Sequence, residues 1–297
     1  MGVPDPISRR LRSATITEYA YLTPGGDPLC WPVTPFWDPG RGVLGISVGL
    51  AYPNKAHYAR LHPRVSALFC APATEPLVLH GDAVVLDGDL QANTDRYIRE
   101  MRARFVSARM ALNPVCLPML DFYLPRLWVE IAPTEIARGA DHETVADPGT
   151  RPDHPPLSAA HRAALHRWAL ASPTATLAMP GAAGYPVMAR VAVRLRADGD
   201  LELGRAPGVG PAALTFHSEG LGGVRLDALM ARGWVGPDGR FTARRVVGFF
   251  GRDPASRPPF FSIFPLSQLP WAGVLRDSLT RELSTRGEPL PRLRVPR

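Results

Sequence analysis

The chain has 297 residues, enough for two domains of ordinary size, and 45% of them are hydrophobic, so a sizeable core can be buried. Its net charge of +7 comes from arginines scattered among Asp and Glu, with no basic tract of five or more, which argues against a nucleic-acid partner. No apolar run reaches the roughly 18 residues of a membrane span, and no apolar stretch follows the N-terminal arginines, so we expect a cytoplasmic protein without a membrane partner.

Residues 1–12 are polar and read as a loose arm. Ala14–Leu22, rich in Thr, Ile and Tyr, reads as a strand closed by the turn Pro24-Gly25-Gly26-Asp27. Leu29–Trp37 is a second strand, closed by Asp38-Pro39-Gly40, and Val43–Val48 a third, which makes a meander. The period then changes. Asn54–Leu61 (NKAHYARL) reads as a short helix with Asn54 as its N-cap, ended by Pro63. Val65–Cys70 and Leu77–Leu86 return to strand, and Gly81 within the second marks a bulge or a close backbone approach. Asp89–Phe105 has charges at helical spacing, residues 106–125 carry no clear pattern, and Leu127–Ile136 is a further strand.

Residues 138–157 are polar and rich in Pro and Asp, as a linker would be. A helix over Ser158–Ala171, capped by Ser158, precedes a second β-rich block from Thr174 to about Gly251. This block echoes the first. Thr176–Ala178 and the turn at Gly184-Tyr185-Pro186 match Tyr21–Thr23 and Gly26-Asp27-Pro28. Ala213–Phe216 matches Ser66–Phe69, and Met230–Val235 matches Leu79–Val84. The second copy has nothing corresponding to the helix at Asn54–Leu61. From Pro258 the chain is rich in Pro and aromatics and is expected to wrap the barrels or cover an edge strand, before a mobile tail.

Lys55 is the one lysine among 34 cationic residues. At a helix start its charge opposes the helix dipole, so a structural role alone does not favour it there. A phosphate, in contrast, needs a fixed cation beside unpaired helical N–H groups. The three cysteines (Cys30, Cys70, Cys116) are odd in number and widely spaced, indicating neither a disulfide framework nor a zinc site. Gly-rich phosphate loops, nucleophile elbows and paired-histidine zinc motifs are not found.

The order strand, PVTPFW strand, GVLGIS strand, PNKAHYARLHPRVSALF and VLHGDAVVLDGD resembles the FMN-binding split β-barrel of pyridoxamine-phosphate oxidases and their deazaflavin-using relatives. The resemblance covers residues 14 to about 137. It implies a mainly β fold with short helices: a split barrel at 13–137, a linker at 138–157, a degenerate second barrel at 158–257, and a wrapping segment and tail at 258–297. It also implies an oxidoreductase that binds FMN or a deazaflavin and passes hydride to a small-molecule substrate.

By this resemblance Ser47, Asn54 and Lys55 hold the phosphate, with Arg64 (and Arg60) in support, and Val33, Thr34 and Pro35 line the ring. His80 and Gly81 face the cofactor mouth. Trp31, Phe36 and Trp37 are candidates for stacking, although aromatics at strand spacing are more often core. A non-catalytic flavin- or haem-binding protein is the competing expectation, with His80 or His217 as axial ligand. Cofactor sites of this family form between two barrels, so a homodimer or an intrachain pseudo-dimer is expected, the second barrel contributing walls and no phosphate site.

Overall fold

The computed structural model describes residues 3–71, 74–138, 155–219, 226–248 and 272–295. Its first half is a curled sheet of seven strands. In chain order these are β1 (Thr17–Leu22), β2 (Pro28–Val33), β3 (Pro35–Asp38), β4 (Val43–Gly49), β5 (Arg64–Phe69), β6 (Leu77–Leu86) and β7 (Arg126–Arg138). They are arranged β2-β1-β5-β6-β7-β4-β3, every neighbouring pair antiparallel. The second half is a closed barrel of six strands, β8 (Thr174–Pro180), β9 (Pro186–Leu195), β10 (Leu201–Gly204), β11 (Gly210–Glu219), β12 (Leu226–Val235) and β13 (Arg240–Gly248). The fold is thus mainly β, with two curled sheets in tandem.

Among the described residues six α-helices accompany the strands: α1 (Asp5–Ser13), α2 (Asn54–Leu61), α3 (Leu90–Arg104), α4 (Val106–Ala111), α5 (Ala159–Ala171) and α6 (Ala272–Arg286). The N-terminal arm is therefore helical. Leu11 is fully buried and Ser8 accepts the Trp37 indole N–H at 2.9 Å, which anchors it. In α2 the residue at the cap position is Pro53, and Asn54 is the first helical residue, making no capping bond. A proline there removes an N–H that would have no helical partner. Ser158 does cap α5, accepting from the His161 N–H.

The C-terminal stretch is more ordered than a mobile tail. Arg276 binds Asp121 at 2.8 Å, Arg286 binds Asp87 at 3.0 Å, and Arg294 binds Asp95 at 2.8 Å. Glu282 of α6 lies 3.3 Å from His57 of α2, so the last helix buttresses the helix that carries Lys55. The expected wrapping segment at 258–271 and most of the expected linker fall outside the described residues. Among the described residues no helix is long and apolar enough to cross a membrane, and no cluster of His, Cys, Asp and Glu has the makings of a metal site.

Strand registers align the two halves residue by residue. Ala20 faces Ser66 across β1–β5, and Ala178 faces Ala213 across β8–β11. Leu22 faces Pro28, as Pro180 faces Pro186. Next, Ala67 faces Leu79 and Leu214 faces Ala231, so Leu79 corresponds to Ala231. The sequence comparison, which set Met230 against Leu79, was one residue out, and its match of Thr176 with Tyr21 was three out, since Thr176 corresponds to Glu18. The true landmark is the bulge: register shifts between His80 and Gly81 in β6 and between Arg232 and Gly233 in β12. At both glycines a side chain would run into a facing backbone carbonyl, of Ala132 and of Thr242 respectively.

The halves pack through these equivalent elements. Thr176 donates to Glu18 at 3.0 Å, and these two residues occupy corresponding positions. Asp27, in the β1–β2 turn, pairs with Arg232; its counterpart Tyr185 stacks edge-on against His80, the counterpart of Arg232, at 5.6 Å. Ser66 donates to the Pro186 carbonyl at 2.7 Å, and Thr215 to the Cys30 carbonyl at 2.8 Å.

Candidate functional site

Where the halves meet, a cleft of about 540 Å³ opens, within the range of small-molecule and cofactor sites. One wall comes from β2 and its continuation (Leu29, Trp31, Val33, Thr34), from Ser47 of β4 and from Asn54 and Lys55 of α2. Tyr97, Tyr123 and Arg126 complete that side. The opposite wall is Ala228, Met230 and Arg232 of β12 with Arg245, Val247 and Gly248 of β13. The cleft lies where the second strand of the first half is interrupted. Thr34 separates β2 from β3, whereas the corresponding β9 runs unbroken and closes its barrel.

Two cations dominate the first wall. The Lys55 ammonium sits 5.6 Å from the Trp31 ring and 5.7 Å from that of Tyr52, and no carboxylate among the described residues pairs with it. Burial, and then the charge of Arg126, lower its pKa to about 8. Arg126 opens β7 and is only 2% exposed. Its guanidinium lies between the rings of Tyr97 and Tyr123, 4.1 Å from each centroid, and donates from Nη1 to the Tyr52 hydroxyl at 3.3 Å. Its Nε and Nη2 are buried without a hydrogen-bond partner. A buried guanidinium without an anion is costly, so the site favours a negative charge close by.

The local sequence serves this arrangement. Gly49 faces Arg126 across β4–β7, and a Cβ there would lie 2.5 Å from the Tyr52 ring and 2.7 Å from Arg126 Nη1. Only a bare backbone lets ring and guanidinium meet at that point. Burial raises the pKa values of Tyr97 and Tyr123, so both rings stay neutral and present their faces to the cation.

Of the residues singled out in the sequence, Val33, Thr34, Ser47, Asn54 and Lys55 line the cleft together, with Trp31. Pro35 begins β3 beyond the lining, where its carbonyl accepts from Arg104. Arg64 points the other way and donates to the Ala183 carbonyl at 2.7 Å. His80 is buried, 2.8 Å from the Ser66 hydroxyl, and Gly81 holds the bulge; both serve the junction between the halves and not the cleft. Arg60 pairs with Asp87. Phe36 and Trp37 are core. His217 lies 3.3 Å from buried Glu18, so neither histidine considered as a haem ligand lines the cleft.

Sequence reasoning missed Arg126 and the wall from β12 and β13. In the sequence Arg126 is one of many arginines, and only the pairing of β7 with β4 brings it to the cleft that Lys55 lines. A usable signal was the run Phe122-Tyr123-Leu124-Pro125-Arg126, an aromatic beside an arginine at a strand start.

Two cations with no carboxylate partner among the described residues, a Ser hydroxyl, aromatic rings and aliphatic side chains line one cleft, a donor set compatible with an anionic aromatic molecule. Neither known family models nor curated proteins match this sequence. Solved structures do. A candidate pyridoxamine 5'-phosphate oxidase from Listeria innocua is 18% identical over 45% of this chain and 95% of its own, with a TM-score of 0.34. An F420 reductase is 17% identical over 46% of this chain and 98% of its own, with a TM-score of 0.36. The haem storage protein HutZ from Vibrio cholerae is 13% identical over 48% of this chain and 100% of its own, with a TM-score of 0.34. It is to proteins of this split-barrel kind that the chain is similar, over about 45% of its length.

Proposed function

We propose that the cleft binds a flavin-type cofactor, FMN or a deazaflavin, and that the chain is an oxidoreductase acting on a small organic molecule. The observation that carries this reading is the pair Lys55 and Arg126, cations in an aromatic-lined cleft without a carboxylate partner among the described residues. Such a pair suits a phosphate, and the rest of the cleft suits a flat ring.

Lys55, Arg126 and the Ser47 hydroxyl would hold the phosphate. Val33 and Thr34, on the broken strand, would present backbone groups to the ring edge, and Trp31 would pack on it. A flavin or deazaflavin supplies the hydride chemistry when bound; the protein's part is to orient it and exclude water. Met230 and Val247 serve that second task from the far wall.

The same reading makes the chain an intrachain pseudo-dimer. The exchanged contacts Asp27–Arg232 and Tyr185–His80, and the self-corresponding pair Glu18–Thr176, are the pattern of a two-fold interface between like units. The second half supplies a wall and lacks a phosphate end of its own. Its counterpart of Ser47 is Gly204, and five residues (205–209) stand where the first half has α2.

Titration of the full chain with FMN, a deazaflavin and haemin, followed by absorbance and fluorescence, tests the reading. Saturable binding of either of the first two, weakened in Lys55→Ala, supports it. Binding of haemin alone, with a Soret band insensitive to Lys55→Ala, overturns it.

A further inference from the structure

The far wall of the cleft carries charge that the phosphate reading does not use. Arg232 and Arg245 are directly opposed across β12–β13, and both line the cleft. Like charges facing each other across an antiparallel pair are destabilising. Asp27 offsets Arg232. Among the described residues Arg245 is exposed and makes neither a hydrogen bond nor an ion pair, and the cleft lining holds four cations and no carboxylate. A single phosphate on Lys55 and Arg126 leaves this second positive end uncompensated.

From this we infer that the cleft takes a second anionic group, a carboxylate or phosphate ester, held by Arg245 with Arg232 beside it. Under the reading of the cleft as a flavin-type site, on which this rests, the group belongs to the substrate, which is then a small organic anion. The placement explains what the second half contributes besides a wall. One half binds the cofactor's charged tail, and the other selects a charged partner for its ring. Arginine suits that task because its fork matches a carboxylate or phosphate bidentately.

The test uses the full chain loaded with FMN and titrated with benzoate and with benzyl alcohol, a matched anionic and neutral pair, read by perturbation of the flavin spectrum. Benzoate is expected to bind at least about tenfold more tightly than the alcohol, as a charged hydrogen bond implies. In Arg245→Ala that preference should vanish while FMN affinity holds, and Arg245→Lys should restore part of it. If Arg245→Ala weakens FMN binding and leaves benzoate unchanged, Arg245 serves the cofactor and the inference falls. Unchanged FMN and benzoate binding in Arg245→Ala overturns the inference. Calorimetry with benzoate on the unloaded chain keeps the two claims separable: an Arg245-dependent signal in a chain that refuses FMN would sink the cofactor reading and leave the anion site standing.

Discussion

The two halves of this chain are built on one plan and differ where the cleft is lined. Both run through the same strand order, with matched registers and a glycine bulge at the same place, Gly81 in one and Gly233 in the other. They part at two points. In the first half the strand breaks at Thr34 and the segment after β4 grows into α2 with its lysine; in the second, β9 is continuous and five residues bridge β10 to β11. In the first half β2 and β3, one residue apart, lie at the two ends of the sheet, whereas the continuous β9 pairs with both β8 and β10 in its closed barrel. A repeated fold therefore says little about function, which lies in the few residues where the copies diverge.

Arg126 should break the comparison most sharply. Arg126→Met replaces a buried cation that has idle donors with an apolar chain of similar length. Ligand affinity is expected to drop by about 2–3 kcal/mol, roughly 30- to 150-fold, in fluorescence titration. The unliganded fold should hold its stability or gain about 1 kcal/mol in urea melts, because a buried unpaired charge costs free energy. A ligand-independent loss of stability would instead assign Arg126 a structural role.

Lys55→Ala comes next, with an expected loss of about 1.5–3 kcal/mol in affinity for a phosphate-bearing ligand and none for riboflavin, which lacks the phosphate. The charge can also be removed by pH. With its pKa near 8 in the unliganded fold, Lys55 is mostly protonated at pH 7 and mostly neutral at pH 9. Affinity should therefore decline as pH rises through 8, and Lys55→Arg should flatten the decline. Stability runs the other way: an unfolded lysine keeps its proton up to about 10.5, so the Lys55 contribution rises with pH between about 8 and 10.5.

Exchanging residues between the copies gives the smallest effects. Ser47→Gly, which installs the residue of the second half, should cost about 1 kcal/mol in affinity. Gly204→Ser, the reciprocal change, should leave affinity unchanged, because nothing around that position in the second half completes a phosphate site. A measurable gain from Gly204→Ser would mean the halves are functionally closer than their structures indicate.

Much of the fold was legible in the sequence, because periodicity and turns are local. The bounds of α2 and β6 follow directly from the NKAHYARL run and from Leu77–Leu86 between its turn signals. The N-terminal and C-terminal helices were missed, although Ile7 and Leu11, and Leu275, Leu279 and Leu283, stand at helical spacing and pack on the core. The surrounding Pro and Arg masked that stripe, and Arg276, Arg286 and Arg294 add contacts to acids far away in sequence. For the site, Lys55 stood out by rarity and Ser47 by resemblance. Arg126 and Arg245 were hidden among arginines, since only strand pairing puts them at the cleft. His80 and Arg64 have the chemistry of ligand-binding groups, but β6 and β5 turn them to the junction between the halves.

Counting the ligand bound per chain tests the central claim directly. Equilibrium titration of the full-length chain with FMN should give one equivalent per chain, and the double variant Lys55→Ala, Arg126→Met should abolish it while circular dichroism shows the fold intact. Two equivalents per chain, or a double variant that binds as tightly as the parent, would contradict the assignment of the site to the first half.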